Sequence, residues 1–294
     1  VNLRATLIGF SAILMWSLLA LLTAASGKMP PFQLSAICFA IGSLPGVAVF
    51  IARPQRLKLL KQPIGAWATG VIGLFGYHFL YFTALRNAPP AEAGIIAYLW
   101  PLLIVLGSAM LPGERLRAVH VVGALIGFAG AVLIISGRDG GNAAFGDTQR
   151  FIGYAAAFAC AFTWSGYSLI SRRFGSVPTD AVTGFCLATA LLSAISHLAL
   201  ETTVWPQATS EWVAVVGLGL FPVGLAFYAW DFGVKKGNIQ ILGVASYAAP
   251  VLSTLALIAA GFAALNWQII AACLLVTGGA LLAVSGTFAK TKPA

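Results

Sequence analysis

The chain has 294 residues, 60% of them hydrophobic and only 9% charged, with a net charge of +9. Soluble domains carry about 25% charged residues, so this composition excludes a water-soluble enzyme built round one core, because too few polar side chains exist to cover a body of this size. The 17 Lys and Arg residues are scattered singly or in small groups between apolar runs, which excludes the clustered basic stripe of a nucleic-acid-binding surface; a lipid bilayer, not nucleic acid, is the expected surroundings.

A helix needs about 20 mainly apolar residues to cross hydrocarbon. In chain order this ruler predicts spans at 3–25, 31–52, 64–85, 91–111, 118–137, 151–171, 180–200, 212–230, 238–260 and 266–286. The first follows Arg4 and ends in Leu22-Thr-Ala-Ala-Ser26 like a signal peptide, but about 22 residues is the length of a retained span. Uniformly apolar runs of this kind are helices, since barrel strands alternate lipid-facing and lumen-facing residues. The expected fold class is an all-α polytopic membrane protein, a single membrane domain over 1–294. Repeat one is placed at 3–137, a loop at 138–150 and repeat two at 151–287.

Ten crossings put both termini on one side. Arg4, Arg53, Arg56, Lys58, Lys61, Arg115, Arg117, Arg172, Arg173, Lys235, Lys236, Lys290 and Lys292 fall on the side of the termini, against Lys28, Arg86, Arg138 and Arg150 on the other. The positive-inside rule then sets the N and C termini in the cytoplasm, and the expected location is a bacterial inner membrane.

Gly94-Ile-Ile-Ala-Tyr98-Leu-Trp100-Pro101 and Gly243-Val-Ala-Ser246-Tyr247-Ala-Ala-Pro250 share the pattern G-x-x-x-Y-x-x-P at an offset of 149 residues. Trp16-Ser17 and Trp164-Ser165 match at 148, and Gly130-Ala-Val-Leu and Gly279-Ala-Leu-Leu at 149. Five spans per copy is an odd number, so the second copy enters the membrane from the opposite face. Ten transmembrane helices in two inverted five-helix repeats are the result, an architecture of secondary transporters whose site lies near the midplane. Pro101 and Pro250, inside the fourth and ninth spans, each lack the N–H that would reach the carbonyl four residues back, Ala97 and Ser246. Those carbonyls are candidates for an ammonium group; the plainer reading is that the prolines only kink the helices, which still shapes a cavity.

Tyr77, His78 and Tyr81 share one stretch of the third span, and Trp164 and Tyr167 are three apart on the sixth, spacings that place side chains side by side on a helix. Trp16, Tyr98, Trp100, Trp164, Tyr228 and Tyr247 lie deep in spans, whereas Trp67, Trp205, Trp212 and Trp267 near span ends read as interface anchors. No carboxylate occupies a span centre, which speaks against a proton relay through a buried acid. His78 is deep enough to meet a carboxylate or to be a neutral packing residue. Asp231, beside Lys235 and Lys236, reads as a solvated loop charge or as one partner of a gate. Cys38, Cys160, Cys186 and Cys273 lie in apolar segments without C-x-x-C spacing and read as small buried hydrophobes, with no disulfide, metal site or cofactor expected. Gly123, Gly127, Gly130, Gly278 and Gly279 are expected to let helices approach closely.

With these two halves, the paired G-x-x-x-Y-x-x-P segments and Leu111-Pro-Gly113-Glu114 leading into a glycine-rich fifth span, the chain resembles the EamA-type branch of the drug/metabolite transporter superfamily over nearly its whole length. Ala229-Trp-Asp231-Phe-Gly-Val-Lys235-Lys236-Gly-Asn238 and Tyr98-Leu-Trp100-Pro101 are similar to segments of the branch that exports aromatic amino acids, which implies efflux of phenylalanine, tyrosine, tryptophan and related solutes through a central cavity. One departure is that Ala264-Leu-Asn266 stands where the repeat would put a second Gly-Glu, which weakens any symmetric role for Glu114. On this reading Trp16, Tyr77, His78, Tyr81, Tyr98, Trp100, Trp164, Tyr228 and Tyr247 line the path of an alternating-access exporter, with Pro101, Pro250 and Asp231 shaping or gating it. Trp100 answers to Ala249 across the repeat, so the first half is expected to supply more of the ring-binding surface. The alternatives are a broad-specificity efflux transporter for lipophilic cations, drawn by cation–π attraction, or for other metabolites. A polytopic membrane enzyme is disfavoured because the spans contain no H-E-x-x-H, paired aspartates or Ser-His constellation. The sequence carries no signal for an oligomeric state.

Overall fold

A computed structural model describes residues 2–136, 146–261 and 265–288. Arg138, Asp139, Ala264, Lys290 and Lys292, with most of the loop expected at 138–150, lie outside the described residues. Among the described residues every regular element is helical. In chain order these are α1 (Leu3–Ala25), α2 (Pro31–Ala52), α3 (Ile64–Asn87), α4 (Glu92–Met110), α5 (Ala118–Ser136), α6 (Asp147–Arg173), α7 (Ala181–Leu200), α8 (Thr209–Lys236), α9 (Ile239–Ala259) and α10 (Trp267–Phe288). Eight of them, all but α5 and α6, are long and apolar enough to cross a membrane. α6 carries Asp147 and Arg150 at its start and Arg172 and Arg173 at its end. Outward-facing side chains are apolar: Leu274, Leu198 and Ile64 are 71%, 80% and 85% exposed, a surface that lipid covers at no cost and water does not.

Several predicted spans are not continuous helices. α1 breaks at Leu18 into Leu3–Ser17 and Leu19–Ala25. α4 breaks after Ala97 and resumes as Trp100–Gly107, and α9 divides into Ile239–Ala245 and Ala248–Ala259. Pro101 lies in the first turn of the second half of α4, where a missing N–H leaves no helical bond unmade; the chain breaks ahead of the proline instead of bending through it. The Ser246 carbonyl, expected to be bare, accepts the Ala249 N–H at 3.1 Å. α3 and α8 each contain one π turn, Ile72–Gly76 and Phe221–Leu225, 149 residues apart. Gly113 and Gly261 both sit at φ +79°, a left-handed conformation that glycine alone adopts freely, and they too are one repeat length apart. Helix α8 runs on to Lys236, so Asp231 belongs to its last turns and not to a loop.

The most extensive packing pairs are α5 with α10, α2 with α7, α1 with α8 and α3 with α6. Exchanging the two halves of the chain maps this set onto itself. In lipid, helices gain little from hydrophobic burial and associate through close packing. Gly123 of α5 and Gly279 of α10 supply it, since a Cβ on Gly123 would stand 2.6 Å from the Gly279 carbonyl oxygen. Gly127 leaves room for the Tyr247 ring and Gly130 for Val276, but Gly278 has nothing within 4 Å and takes no part.

Candidate functional site

The middle of the bundle is filled by indole rings. Trp16 on α1, Trp100 on α4, Trp164 on α6 and Trp230 on α8 form a closed set, with centroid separations of 5.1 Å for Trp16–Trp230, 5.6 Å for Trp16–Trp164, 5.8 Å for Trp100–Trp230 and 6.2–6.3 Å for the remaining contacts. Most meet edge to face, the arrangement that the ring quadrupole favours. Two of the four come from each half of the chain. The Trp16 Nε1–H donates to the Pro222 carbonyl at 3.1 Å and the Trp230 Nε1–H to Ser168 Oγ at 3.0 Å. Both indoles are thus fixed in rotation as well as position.

Around this chamber the structure gathers most of the predicted residues. Tyr77 packs on Trp164 at 5.4 Å and stacks on Tyr81 at 6.0 Å with 5° between the planes. Tyr98 reaches Trp100 at 6.4 Å. His78 lies against Phe39 and Tyr77, and its Nδ1 is 2.7 Å from the Leu74 carbonyl; a carbonyl only accepts, so Nδ1 carries the proton. Tyr77, His78, Tyr81 and Tyr98 are only half-buried, whereas Trp100, Trp164 and Trp230 are buried. The tyrosine side, with the half-buried Trp16, is therefore the less buried part of the aromatic cluster.

Two predicted residues stand elsewhere. The Tyr228 hydroxyl donates to Thr183 Oγ1 at 3.1 Å on the opposite flank of α8. Tyr247 is fully buried in a separate core with Phe128, 6.0 Å away. Conversely Trp230, Phe227 and Phe39 belong to the chamber and were not anticipated. The signal for α8 was present: Phe227, Trp230, Asp231 and Val234 follow the one-face spacing of a helix, and all are buried, while Tyr228 is two residues from Trp230 and points away.

Polar closures lie at both ends of the bundle. At the end that holds the N-terminal residues, Arg172 donates to the carbonyls of Val234 (2.7 Å) and Gly237 (2.9 Å) and pairs with Glu114. Arg173 donates to Met110 O, Arg56 pairs with Asp180 at 3.2 Å, and the Asn238 N–H donates to Thr6 Oγ1. Asp231 is 1% exposed and pairs with Lys235 at 2.9 Å. The reading of Asp231 as a solvated charge is corrected: an unpaired carboxylate at that depth would be too costly, and Lys235, one helical turn on, neutralises it. At the other end Glu201 accepts the N–H groups of Phe32 and Gln33 at the start of α2, each at 3.1 Å, and pairs with Arg86 and His197. Among the described residues no group of three His, Cys, Asp or Glu is placed to hold a metal ion, and all four cysteines are free.

Comparison with known proteins places the chain closely. The profile of the EamA-like transporter family matches residues 3–136 and again 151–285. The aromatic amino acid exporter YddG of Ancylobacter novellus is 59% identical over 280 residues, covering 95% of this chain and 96% of that protein. The protein of the same name from Escherichia coli is 26% identical over 287 residues, covering 95% and 96%. The pseudopaline exporter CntI of Pseudomonas aeruginosa is 27% identical over 270 residues, covering 90% of this chain and 88% of that one. A crystal structure of a chain 57% identical in sequence superposes with a TM-score of 0.89 over 96% of this chain and 98% of the other.

Proposed function

The chain belongs to the EamA-like transporter family and is a multi-pass membrane protein, and from that premise we propose that it exports aromatic amino acids and related small amphipathic solutes across a bacterial inner membrane by alternating access. The chamber of four indoles carries this reading. The half-buried Tyr77, Tyr81 and Tyr98, laid against this packed floor of indoles, suit a flat apolar ring that bears a polar tail, because the aromatic floor takes the ring and the tyrosine hydroxyls and His78 take the zwitterion. The relatives named as aromatic amino acid exporters support the substrate class.

In this reading α5 and α6 also cross the bilayer, which gives ten spans in two inverted repeats, 3–137 and 151–287. The doubled family match, the π turns and the helix breaks one repeat length apart, and the self-mapping helix pairs support it. The end closed by Arg172 and Glu114 faces the cytoplasm with both termini, because it holds the larger share of basic residues. Trp16, Tyr77, His78, Tyr81, Tyr98, Trp100 and Trp164 line the path together with Trp230. Pro101 and Pro250 fix where the fourth and ninth helices break, and Asp231 with Lys235 is part of the cytoplasmic closure.

Flux of labelled tryptophan and phenylalanine from preloaded proteoliposomes, with and without a pH gradient, tests this. Saturable efflux of both, cross-inhibited by each other, is expected. Absence of flux for either, alongside robust flux of an unrelated solute, would sink the substrate assignment.

A further inference from the structure

Between the indole chamber and the basic end lies a fully buried ion pair with a cavity on its outer side. Lys235 Nζ stands 2.9 Å from the Asp231 carboxylate and also donates to the Val177 carbonyl at 3.0 Å, while Thr179 Oγ1 donates to Asp231 Oδ2 at 2.8 Å. The two charged side chains are 1% and 4% exposed. On the chamber side, Tyr167 stacks obliquely on Trp164 at 5.1 Å. Its buried hydroxyl lies beside Ser171 and the Asp231 carboxylate. On the outer side is a cavity of about 350 Å³ bordered by Val177, Thr179, Asp180, Phe232, Lys235 and Lys236. That volume falls in the range of roughly 300–1,000 Å³ typical of small-molecule sites.

We propose that this cavity is a loading site for zwitterionic α-amino acids, whose carboxylate takes Lys235 from Asp231 and whose ammonium takes Asp231 from Lys235. The inference rests on the export reading above and adds a second subsite to it. As a static strut a buried ion pair is a poor choice, since apolar residues of similar volume hold helices together as well or better. As a receptor it has a specific merit. An α-amino acid carries one ammonium and one carboxylate a few ångströms apart, so the completed exchange swaps one pair of opposite charges for two and leaves no charge unpaired. Phe232 offers an apolar wall for the side chain, and the Tyr167 hydroxyl, beside Asp231, offers the next polar contact on the way to Trp164. A solute lacking either charge would strand one member of the pair, a penalty that discriminates more strongly than any loss of apolar contact. The pair thus selects for zwitterions, whereas the chamber selects for rings.

The test measures how strongly tryptophan, tryptamine (no carboxylate) and indole-3-propionate (no ammonium) inhibit efflux of labelled phenylalanine from proteoliposomes. Lys235→Met should weaken tryptophan and indole-3-propionate by about tenfold or more while leaving tryptamine within about twofold, and Asp231→Asn should weaken tryptophan and tryptamine but spare indole-3-propionate. The double variant Asp231→Asn/Lys235→Met buries no lone charge, so it carries the test if either single variant does not fold. It should lose the preference for tryptophan over both analogues by about tenfold. Equal weakening of all three solutes, or unchanged selectivity, in folded variants would overturn the loading site. Loss of phenylalanine efflux in the unsubstituted protein would instead overturn the export reading, so the two failures are distinct.

Discussion

Trp164 is the residue whose removal tests the chamber most directly. Its indole touches six other rings, those of Trp16, Tyr77, Trp100, Tyr167, Phe227 and Trp230, at centroid distances of 5.1–6.3 Å, and it is 3% exposed. Truncation of a buried Trp to Ala costs about 3–5 kcal/mol in water-soluble cores. In a bilayer the separated helices contact lipid instead of water, so the transfer part of that figure shrinks and the packing part remains. We place the loss for Trp164→Ala at about 2–3 kcal/mol. A single aromatic pair with the substrate is worth about 0.5–1.5 kcal/mol, which raises the half-saturating concentration for tryptophan about two- to twelvefold. Trp164→Phe keeps one ring and should fall between the parent and Ala on both measures. Thermal unfolding of the purified variants in detergent reports the first quantity, and the concentration dependence of tryptophan efflux reports the second. An unchanged midpoint together with unchanged half-saturation in Trp164→Ala would show that the six ring contacts neither hold the bundle nor meet substrate.

Trp230→Phe keeps the ring but deletes the Nε1–H bond to Ser168, and a loss of about 1 kcal/mol in detergent unfolding is expected; a larger loss would mean that the indole's second ring carries the packing. Gly123→Val places carbon within contact of the Gly279 carbonyl, where neither backbone can yield, so α5 and α10 must separate and monodisperse protein should be lost on size exclusion. The same change at Gly278, which faces open space, should leave the protein intact. Glu201→Ala removes the acceptor for two N–H groups at the start of α2 and leaves them without their buried partner, a cost of about 1–3 kcal/mol in unfolding. Arg172→Gln breaks three contacts at the basic end, and it should raise the labelling rate of a Thr179→Cys probe by an impermeant thiol reagent; an unaltered rate would remove Arg172 from the closure.

Several helix bounds could be read from the sequence: α2 spans Pro31–Ala52 as expected, and α7 and α10 begin within a residue of their predicted starts, whereas α8 runs six residues past its predicted end and α6 begins four residues early. Length and apolar content decide such bounds, and both are local. Which face of each helix turns inward was harder, because a helix apolar all round offers no amphipathic stripe to orient it. Depth in the span was the remaining guide, and it selected Tyr228 and Tyr247, which are deep but face Thr183 and Phe128, over Trp230, which faces the chamber. The burial of Asp231 was missed for a related reason: a charge near a span end reads as solvated until the partner packed against it is known. Helix interruptions were legible only where proline marks them. The π turn in α3, Ile72-Gly-Leu-Phe-Gly76, contains no proline and nothing in its composition announces it.

Those π turns explain how the chamber is anchored, and they revise the role given to the prolines. A π turn widens the helix by one residue and leaves a carbonyl poorly served by the normal ladder, which in hydrocarbon demands another donor. In α8 the Pro222 carbonyl, inside the π turn, receives the Trp16 indole N–H; in α3 the Leu74 carbonyl, inside the other π turn, receives the His78 Nδ1–H. Each half therefore contributes one π-turn carbonyl near the middle of the bundle that fixes an aromatic side chain at the chamber. Of the carbonyls considered as ammonium ligands, that of Ser246 is less suited to the task, since it is already taken by Ala249. With Nδ1 donating to Leu74, Nε2 is the ring nitrogen of His78 left for a further partner.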